Sequence, residues 1–375
     1  MRLRRFVAWG VRRRGWLLRA ALLVVLSTWA AAPRPLVAIG PVQSVVTHHP
    51  ILCVHTRLTD EVEPWKIMRT LEMVRQMGAP TIVEYFPWAY HASAPGQYGW
   101  AHADMVVDFA RSQGLAVIAR LGGLVPAWAR PQAAGTHTTE TYLDAAHYAD
   151  FGDYVYAFVS HFKGRITHVV IWNEPNVTLE WGFRPVDAAA YVQLLKVGYA
   201  RAKEADPDVV VLAGALAPTL EPEGSELALD DLVYLQRMYD AGARGYFDAL
   251  AVHAYGLKFP PDDPPAPEAL NFRRVELARA VMVANGDEAK PIIVTESGWN
   301  DSPRWTKAVT PGTRIDYTLA GYAWAEQHWP WAAAVCTWAF RYPAPQRSYG
   351  DYFTLVSPGF EIKPIYEAVK AWATQ

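Results

Sequence analysis

Eight short apolar runs recur along the chain, at residues 51–55, 81–86, 115–120, 167–173, 209–213, 249–254, 292–296 and 332–340. Most are four to eight residues long and apolar on both faces, so each predicts a strand covered on both sides rather than one washed by solvent. The segments between them carry helical spacing. Ile67, Leu71 and Val74 share one face of the first helix, which Pro64 opens and Gly78 closes. Leu277, Ala280, Val281 and Ala284 are expected to form the inner face of the sixth. Parallel neighbours need crossovers, so strand and helix in repeated alternation predict a parallel sheet. Eight repeats in about 325 residues have the size of a closed (β/α)8 TIM barrel. An open doubly wound sheet is the competing architecture, but residues 56–60 (TRLTD) after the first run lack the glycine-rich turn such sheets use to cradle phosphates. The chain is therefore read as one α/β domain, residues 50–375, behind a linker at 33–49 that carries three prolines by Pro41.

Residues 1–32 read differently. Seven arginines and no acid stand in residues 1–19, and an apolar stretch follows at 20–32, long enough for a signal peptide and short for a full membrane span. Ala30, Ala31 and Ala32 suit a signal peptidase, whereas Pro33 is a poor residue to follow the cut. Two outcomes follow: a secreted protein freed by cleavage, or a cell-surface protein attached to the membrane through residues 20–32.

Without residues 1–32 the basic count drops to 28 against 37 acids, near −9. No basic stripe is left for nucleic acid, which excludes that partner. Neutral ligands fit better, and 16 Trp with 19 Tyr supply flat rings suited to sugar faces. Cys53 and Cys336 fall on the first and eighth runs, neighbours in a closed barrel. Adjacent-strand geometry rarely suits a disulfide, so two buried free thiols are expected, with one bridge as the alternative.

In a barrel of this kind the loops after the strands build the active site. Here they are long and aromatic: FPWAYHASAPGQYGW after the second run, WNEPNVTLEWGF after the fourth and SGWNDSPRW, with Trp299, after the seventh. Pro260, Pro261, Pro264, Pro265 and Pro267 predict a stiff rim after the sixth. Two acids end apolar runs, Glu174 in IWNEPN and Glu296 in IIVTESGW. Ionisable groups at the mouth of an apolar scaffold have proton affinities set by their surroundings. Two that converge there can cleave a glycoside, one protonating the leaving oxygen and the other attacking the anomeric carbon. Taken singly, each could instead cap a helix or pair with an arginine; taken together they point to catalysis.

Asn173-Glu174-Pro175, followed about 120 residues later by Thr295-Glu296 in a chain of this barrel size, resembles the clan A glycoside hydrolases, in particular their families 5 and 39. The resemblance spans residues 50–375. It implies a retaining glycosidase acting on a β-linked carbohydrate, with Glu174 as acid/base and Glu296 as nucleophile. It further implies that Asn173 donates to the sugar 2-hydroxyl. In AVHAYG, His253 and Tyr255 match a pair whose tyrosine bonds the nucleophile, and Trp338 in TWAF matches the tryptophan that floors the cleaved sugar. Trp299 is read with these as substrate-binding. Many members carry an arginine near the end of the second strand, where this chain has Glu84, Tyr85 and Phe86; Arg120, ending the third run, is the substitute or else pairs with a neighbouring acid. Glu84 and His91 are read as pocket-lining or structural groups. A transglycosylase on the same scaffold shares every residue named; a carbohydrate-binding protein without turnover is the other reading, and intact Glu174 and Glu296 argue against it. Neither a metal nor a cofactor is implied: two-carboxylate chemistry needs none, and His48 and His49 lack partner ligands at known spacings.

Overall fold

The computed structural model describes residues 41–130 and 139–375. Residues 1–32, with the signal or anchor expected of them, and residues 33–40 lie outside that range. Among the described residues no helix is long and apolar enough to cross a membrane.

Eight parallel strands close into a barrel: β1 (Leu52–His55), β2 (Thr81–Pro87), β3 (Ala116–Gly122), β4 (His168–Ile171), β5 (Val210–Leu216), β6 (Ala249–Tyr255), β7 (Ile292–Gly298) and β8 (Ala332–Thr337). β1 pairs with both β2 and β8, so the sheet has no free edge. A helix follows each strand: α1 (Pro64–Met77), α2 (Ala101–Ser112), α3 (Tyr148–His161), α4 (Ala188–Ala205), α5 (Asp231–Asp240), α6 (Val275–Ala284), α7 (Pro311–His328) and α8 (Pro364–Thr374). The eight runs read from the sequence are these eight strands.

Strand alternation divides the apolar residues into two layers. Cys53, Val83, Ile118, Val170, Leu212, Ala251, Ile293 and Ala334 fill the barrel interior, while neighbours such as Val54, Ile82, Val169 and Val294 meet the helices. α1 follows its sequence signals: Ile67, Leu71 and Val74 are buried, Pro64 opens the first turn, and Gly78 adopts φ +88° with its N–H donating to Arg75 and Val74 carbonyls. α6 does not. Its buried face is Val275, Ala278 and Met282, whereas Ala280 and Ala284 are exposed and Leu277 and Val281 only half-buried. VELARAVMVA is apolar almost all round, so its pattern marks a helix without fixing which side turns inward.

Cys53 and Cys336 form a disulfide, contrary to the expectation of free thiols. The two residues are directly opposite in the β1–β8 register, with Cα atoms 4.0 Å apart, and both side chains belong to the interior layer, so they already face each other. The last residues of the expected linker are laid on the barrel: Gln43 N–H donates to the Ser112 carbonyl, and His49 stacks on Trp372 and pairs with Glu326.

Candidate active site

The strand ends at the C-terminal mouth converge on a cleft of about 560 Å³, lined by Arg120, Asn173, Glu174, Glu180, Tyr255, Glu296 and Trp338 among others. Three local distortions aim the charged groups into it. At the end of β4, Trp172 has φ +73° and Glu174 φ +40°. Such conformations cost roughly 1–3 kcal/mol each for residues with a Cβ and collect where function needs them. Trp172 should point inward by alternation from Val170; its left-handed turn instead buries the ring behind β4, where Nε1 donates to the Glu180 carbonyl at 2.9 Å. Asn173 and Glu174 then face the mouth, and the Glu174 N–H is tied to the Ala215 carbonyl at 3.0 Å. The third distortion is on β7. The β6–β7 register runs Val252↔Val294 and then His253↔Glu296, so Thr295 is an inserted residue. Alternation from the inward Ile293 would point Glu296 at the helices; the bulge returns it to the interior.

Glu296 is buried and heavily partnered. Arg120 Nη1 donates to its Oε1 at 2.6 Å, and Tyr255 Oη donates to its Oε2 at 2.7 Å. The same Arg120 nitrogen donates to Asn173 Oδ1 at 2.8 Å. His253 Nδ1 lies 2.7 Å from Glu174 Oε1 and 3.6 Å from Glu296 Oε2. Burial alone pushes the Glu296 carboxyl up, but the charges of His253, Arg120 and His55 and the Tyr255 hydroxyl outweigh it and hold the group at about 2. Burial and the negative charge of Glu296 raise Tyr255 far above its ordinary value, so the phenol keeps its proton and remains a donor. For His253 burial works to lower the proton affinity, but Glu296 and Glu174 reverse it and the ring is raised above its ordinary value.

The arrangement thus joins Glu174, Glu296, Asn173, His253, Tyr255, Arg120 and Trp338 in one site. Arg120 pairs with a neighbouring acid, and that acid is Glu296. Trp338 lines the cleft, its Nε1 donating to Tyr342 Oη at 3.0 Å. Trp299 is not part of the site. Its ring is buried among Phe272 and Tyr317, and Nε1 donates to the Phe259 carbonyl at 2.8 Å. Of the two ambiguous groups, Glu84 accepts from Thr56, Leu58 and Thr59 beneath the β1 loop, and His91 stacks with Trp100 and Tyr154; both are structural. Asn176-Val177-Thr178 has the form of a glycosylation sequon, but Asn176 is fully buried with its amide donating to the Ala217 and Leu229 carbonyls, a structural asparagine.

Several cleft residues escaped the sequence reading. His55, two residues beyond Cys53 on the inner side of β1, places Nε2 3.9 Å from Glu296 Oε1; burial and the charge of Arg120 hold its pKa well below the ordinary value. Alternation from Cys53 would have found it. Arg57, Glu180, Trp305, Tyr342 and Phe353 come from loops and turns, and Tyr349 from a single 3-10 turn, where no periodicity points inward. Glu180 is pushed up to about 7, first by burial and then by the charge of Glu174, against the opposing Arg120 and Asn173.

Glu174, His253 and Glu296 each bring a potential ligand atom within 4.8 Å of the others, the spacing of a cation site. The guanidinium of Arg120 already occupies the Glu296 oxygen at 2.6 Å, and a cation would meet its charge at close range. The donor set therefore suits paired carboxyls better than a metal.

No family model matches the chain, and no curated protein sequence matches it. Solved structures do. A family 39 glycoside hydrolase from Bacteroides cellulosilyticus WH2 aligns with TM-score 0.67 at 22% identity, over 87% of this chain and 64% of its own. A monomeric beta-xylosidase from Caulobacter crescentus CB15 aligns with TM-score 0.62 at 19% identity, over 88% and 71%. An exo-beta-1,4-mannosidase from Opitutaceae bacterium strain TAV5 aligns with TM-score 0.60 at 15% identity, over 89% and 61%. The chain thus spans under two thirds of the length of the first and third of these proteins. At these identities the likeness shows the fold alone, a (β/α)8 barrel shared with these solved structures.

Proposed function

We propose that the protein is a retaining O-glycoside hydrolase acting on β-linked oligo- or polysaccharides. The observation that carries this reading is the pairing of Glu174 and Glu296, with carboxylate oxygens within 4.8 Å of each other at the mouth of the barrel. Retaining glycosidases hold their two carboxyls about 5–5.5 Å apart, whereas inverting ones leave about 6.5–9.5 Å for an intervening water. The surroundings divide the labour. Glu296, ionised and oriented by Arg120 and Tyr255, attacks the anomeric carbon while Glu174 gives its proton to the departing glycosidic oxygen. The carbon–oxygen bond breaks and a glycosyl ester of Glu296 forms. Glu174, now a carboxylate, takes a proton from water as that water attacks the same carbon, which frees Glu296 and returns the sugar with its original configuration. His253 fixes the Glu174 carboxyl throughout. Asn173, its oxygen held by Arg120 and its amide also donating to Glu180, offers an N–H to the sugar 2-hydroxyl, and Trp338 supplies an apolar floor.

Support for export comes from the Cys53–Cys336 disulfide, a bond that persists in oxidising compartments. We place the enzyme outside the cytoplasm on that ground together with the arginine-rich, apolar start of the chain.

The test is sugar release by residues 33–375 from a panel of β-linked polysaccharides and aryl β-glycosides, beside Glu296→Gln and Glu174→Gln. Release by the wild type, with the β-anomer appearing first by NMR, is the expected result. An α-anomer appearing first overturns retention; transfer to an added sugar acceptor in place of water identifies a transglycosylase; binding without turnover identifies a silent carbohydrate-binding protein.

A further inference from the structure

The carboxyl of Glu180 stands in the cleft wall beside Asn173 and Glu174, and the mechanism above leaves it unused. It lies in the turn after β4, yet its backbone is firmly placed. The N–H donates to the Val177 carbonyl at 3.1 Å, and the carbonyl accepts from the Trp172 indole at 2.9 Å. Trp181, the next residue, is buried edge-on against the same indole. The ring that sets the turn into Asn173 and Glu174 thus also sets Glu180, so the three side chains are presented as one unit. Among the described residues the ion pairs of the cleft go to Glu296, through Arg120, and to Glu174, through His253, and none to Glu180. The Asn173 side chain gives it one hydrogen bond, which leaves most of the acceptor capacity of a half-buried carboxyl without an ion pair to be met by something in the cleft.

We propose that Glu180 is a third substrate-contacting carboxyl, which accepts a hydroxyl of the sugar bound beside Asn173 and Glu174 and selects glycosides that present a neutral donor there. The proposal rests on the glycosidase reading. An anionic substituent at that place would face Glu174, Glu180 and Glu296 together and be rejected; a deoxy sugar would leave the carboxyl with only the Asn173 hydrogen bond. The groups facing Glu180 are Glu174, Glu296 and Asn173 with the opposing Arg120, and they make it titrate near neutrality. The carboxylate is the better acceptor, so affinity for the accepted sugar rises as pH increases through about 7.

The experiment crosses the wild type, Glu180→Gln and Glu180→Ala with the best aryl β-glycoside substrate and its monodeoxy analogues. In the wild type one deoxy position should lower kcat/KM about 10- to 150-fold, the range for a hydrogen bond to a charged group. In both variants the penalty at that position should shrink toward one while the other positions keep theirs, and Glu180→Gln should lose the rise in affinity near pH 7. Equal penalties in all three proteins overturn the proposal and leave the hydrolase reading standing. Should the wild type cleave nothing, quenching of tryptophan fluorescence by the parent and deoxy sugars replaces kcat/KM: discrimination lost in the variants supports Glu180 while refuting the hydrolase, and no binding by any protein refutes both. Glu180→Gln, nearly isosteric, carries the test if Glu180→Ala fails to fold.

Discussion

Arg120 is the residue on which the charge balance of the site turns. One of its nitrogens donates at 2.6 Å to Glu296 and at 2.8 Å to Asn173, and all three side chains are buried. Two opposite charges about 4 Å apart attract by about 4 kcal/mol at an effective dielectric near 20, and an adjacent arginine lowers a carboxyl by about 1–3 units. Arg120→Met keeps much of the volume and removes both bonds. Glu296 retains Tyr255 and His253, so its proton affinity rises without reaching that of an isolated buried acid. The acid limb of kcat/KM on an aryl β-glycoside should therefore move up by about 1–3 pH units. Two lost hydrogen bonds to a charged group, about 1.5–3 kcal/mol each, should lower kcat/KM at its optimum by about 10²–10⁴. Removing one partner of a buried pair should also cost about 3–5 kcal/mol of stability. Rate profiles from pH 3 to 8 and denaturant melts, with Arg120→Lys as the charge-conserving control, measure all three. An acid limb that stays in place, with kcat/KM indistinguishable from wild type, would refute the assignment of Arg120 as the group that holds Glu296 ionised.

Further outcomes follow from the same structure. Tyr255→Phe removes the donor to Glu296 Oε2 and should lower kcat/KM about 10- to 150-fold with little change in melting temperature; an equal rate on aryl glycosides contradicts the role given to the phenol. Cys53→Ser with Cys336→Ser opens a bridge spanning 283 residues of chain. It should lower the melting temperature by about 3–7 °C, from about 2–5 kcal/mol spread over the unfolding entropy of a domain this size; an unchanged melt in the double variant refutes a structural role for the bond. Glu296, held at about 2 when folded, binds fewer protons folded than unfolded. Its contribution, on the order of 3 kcal/mol, is full above the ordinary carboxylate value and is lost as pH falls from about 5 to about 2. His253, raised in the folded state, contributes below its ordinary value and loses that contribution as pH climbs through the raised one. Guanidinium midpoints against pH should therefore fall on both sides, and Glu296→Gln should flatten the acid side; an acid side that falls as steeply in that variant refutes the linkage.

What the sequence disclosed and what it withheld divide along physical lines. Barrel strands are covered on both faces, so their composition alone marks them, and all eight runs are strands. Glu174 and Glu296 were legible as members of one site because each ends an apolar run, and the strand ends of a closed barrel converge at one mouth. The inner face of α6 was not, since a helix apolar all round takes its phase from the partner it meets. Nor was the disulfide, because strand adjacency does not give register, and only the pairing of Cys53 with Cys336 puts the two sulfurs together. Glu180 lies in a turn, where each side chain's direction depends on backbone angles that no repeat encodes.

Trp299 and Glu296 show how one local feature decides two assignments. An aromatic residue three positions beyond a candidate catalytic acid, in a loop at the barrel mouth, looks like a sugar platform. On a strand, however, positions three apart face opposite sides. The inserted Thr295 brings Glu296 to the interior, and from there Ser297 faces out, Gly298 in and Trp299 out again, toward the helices. The fold makes room for that outcome: Gly256 and Gly321 approach the indole so closely that an added Cβ would sit 2.0 Å and 3.1 Å from it. A tryptophan packed on two glycines is a fixture of the helix layer, and the bulge that turns Glu296 inward is what sends it there.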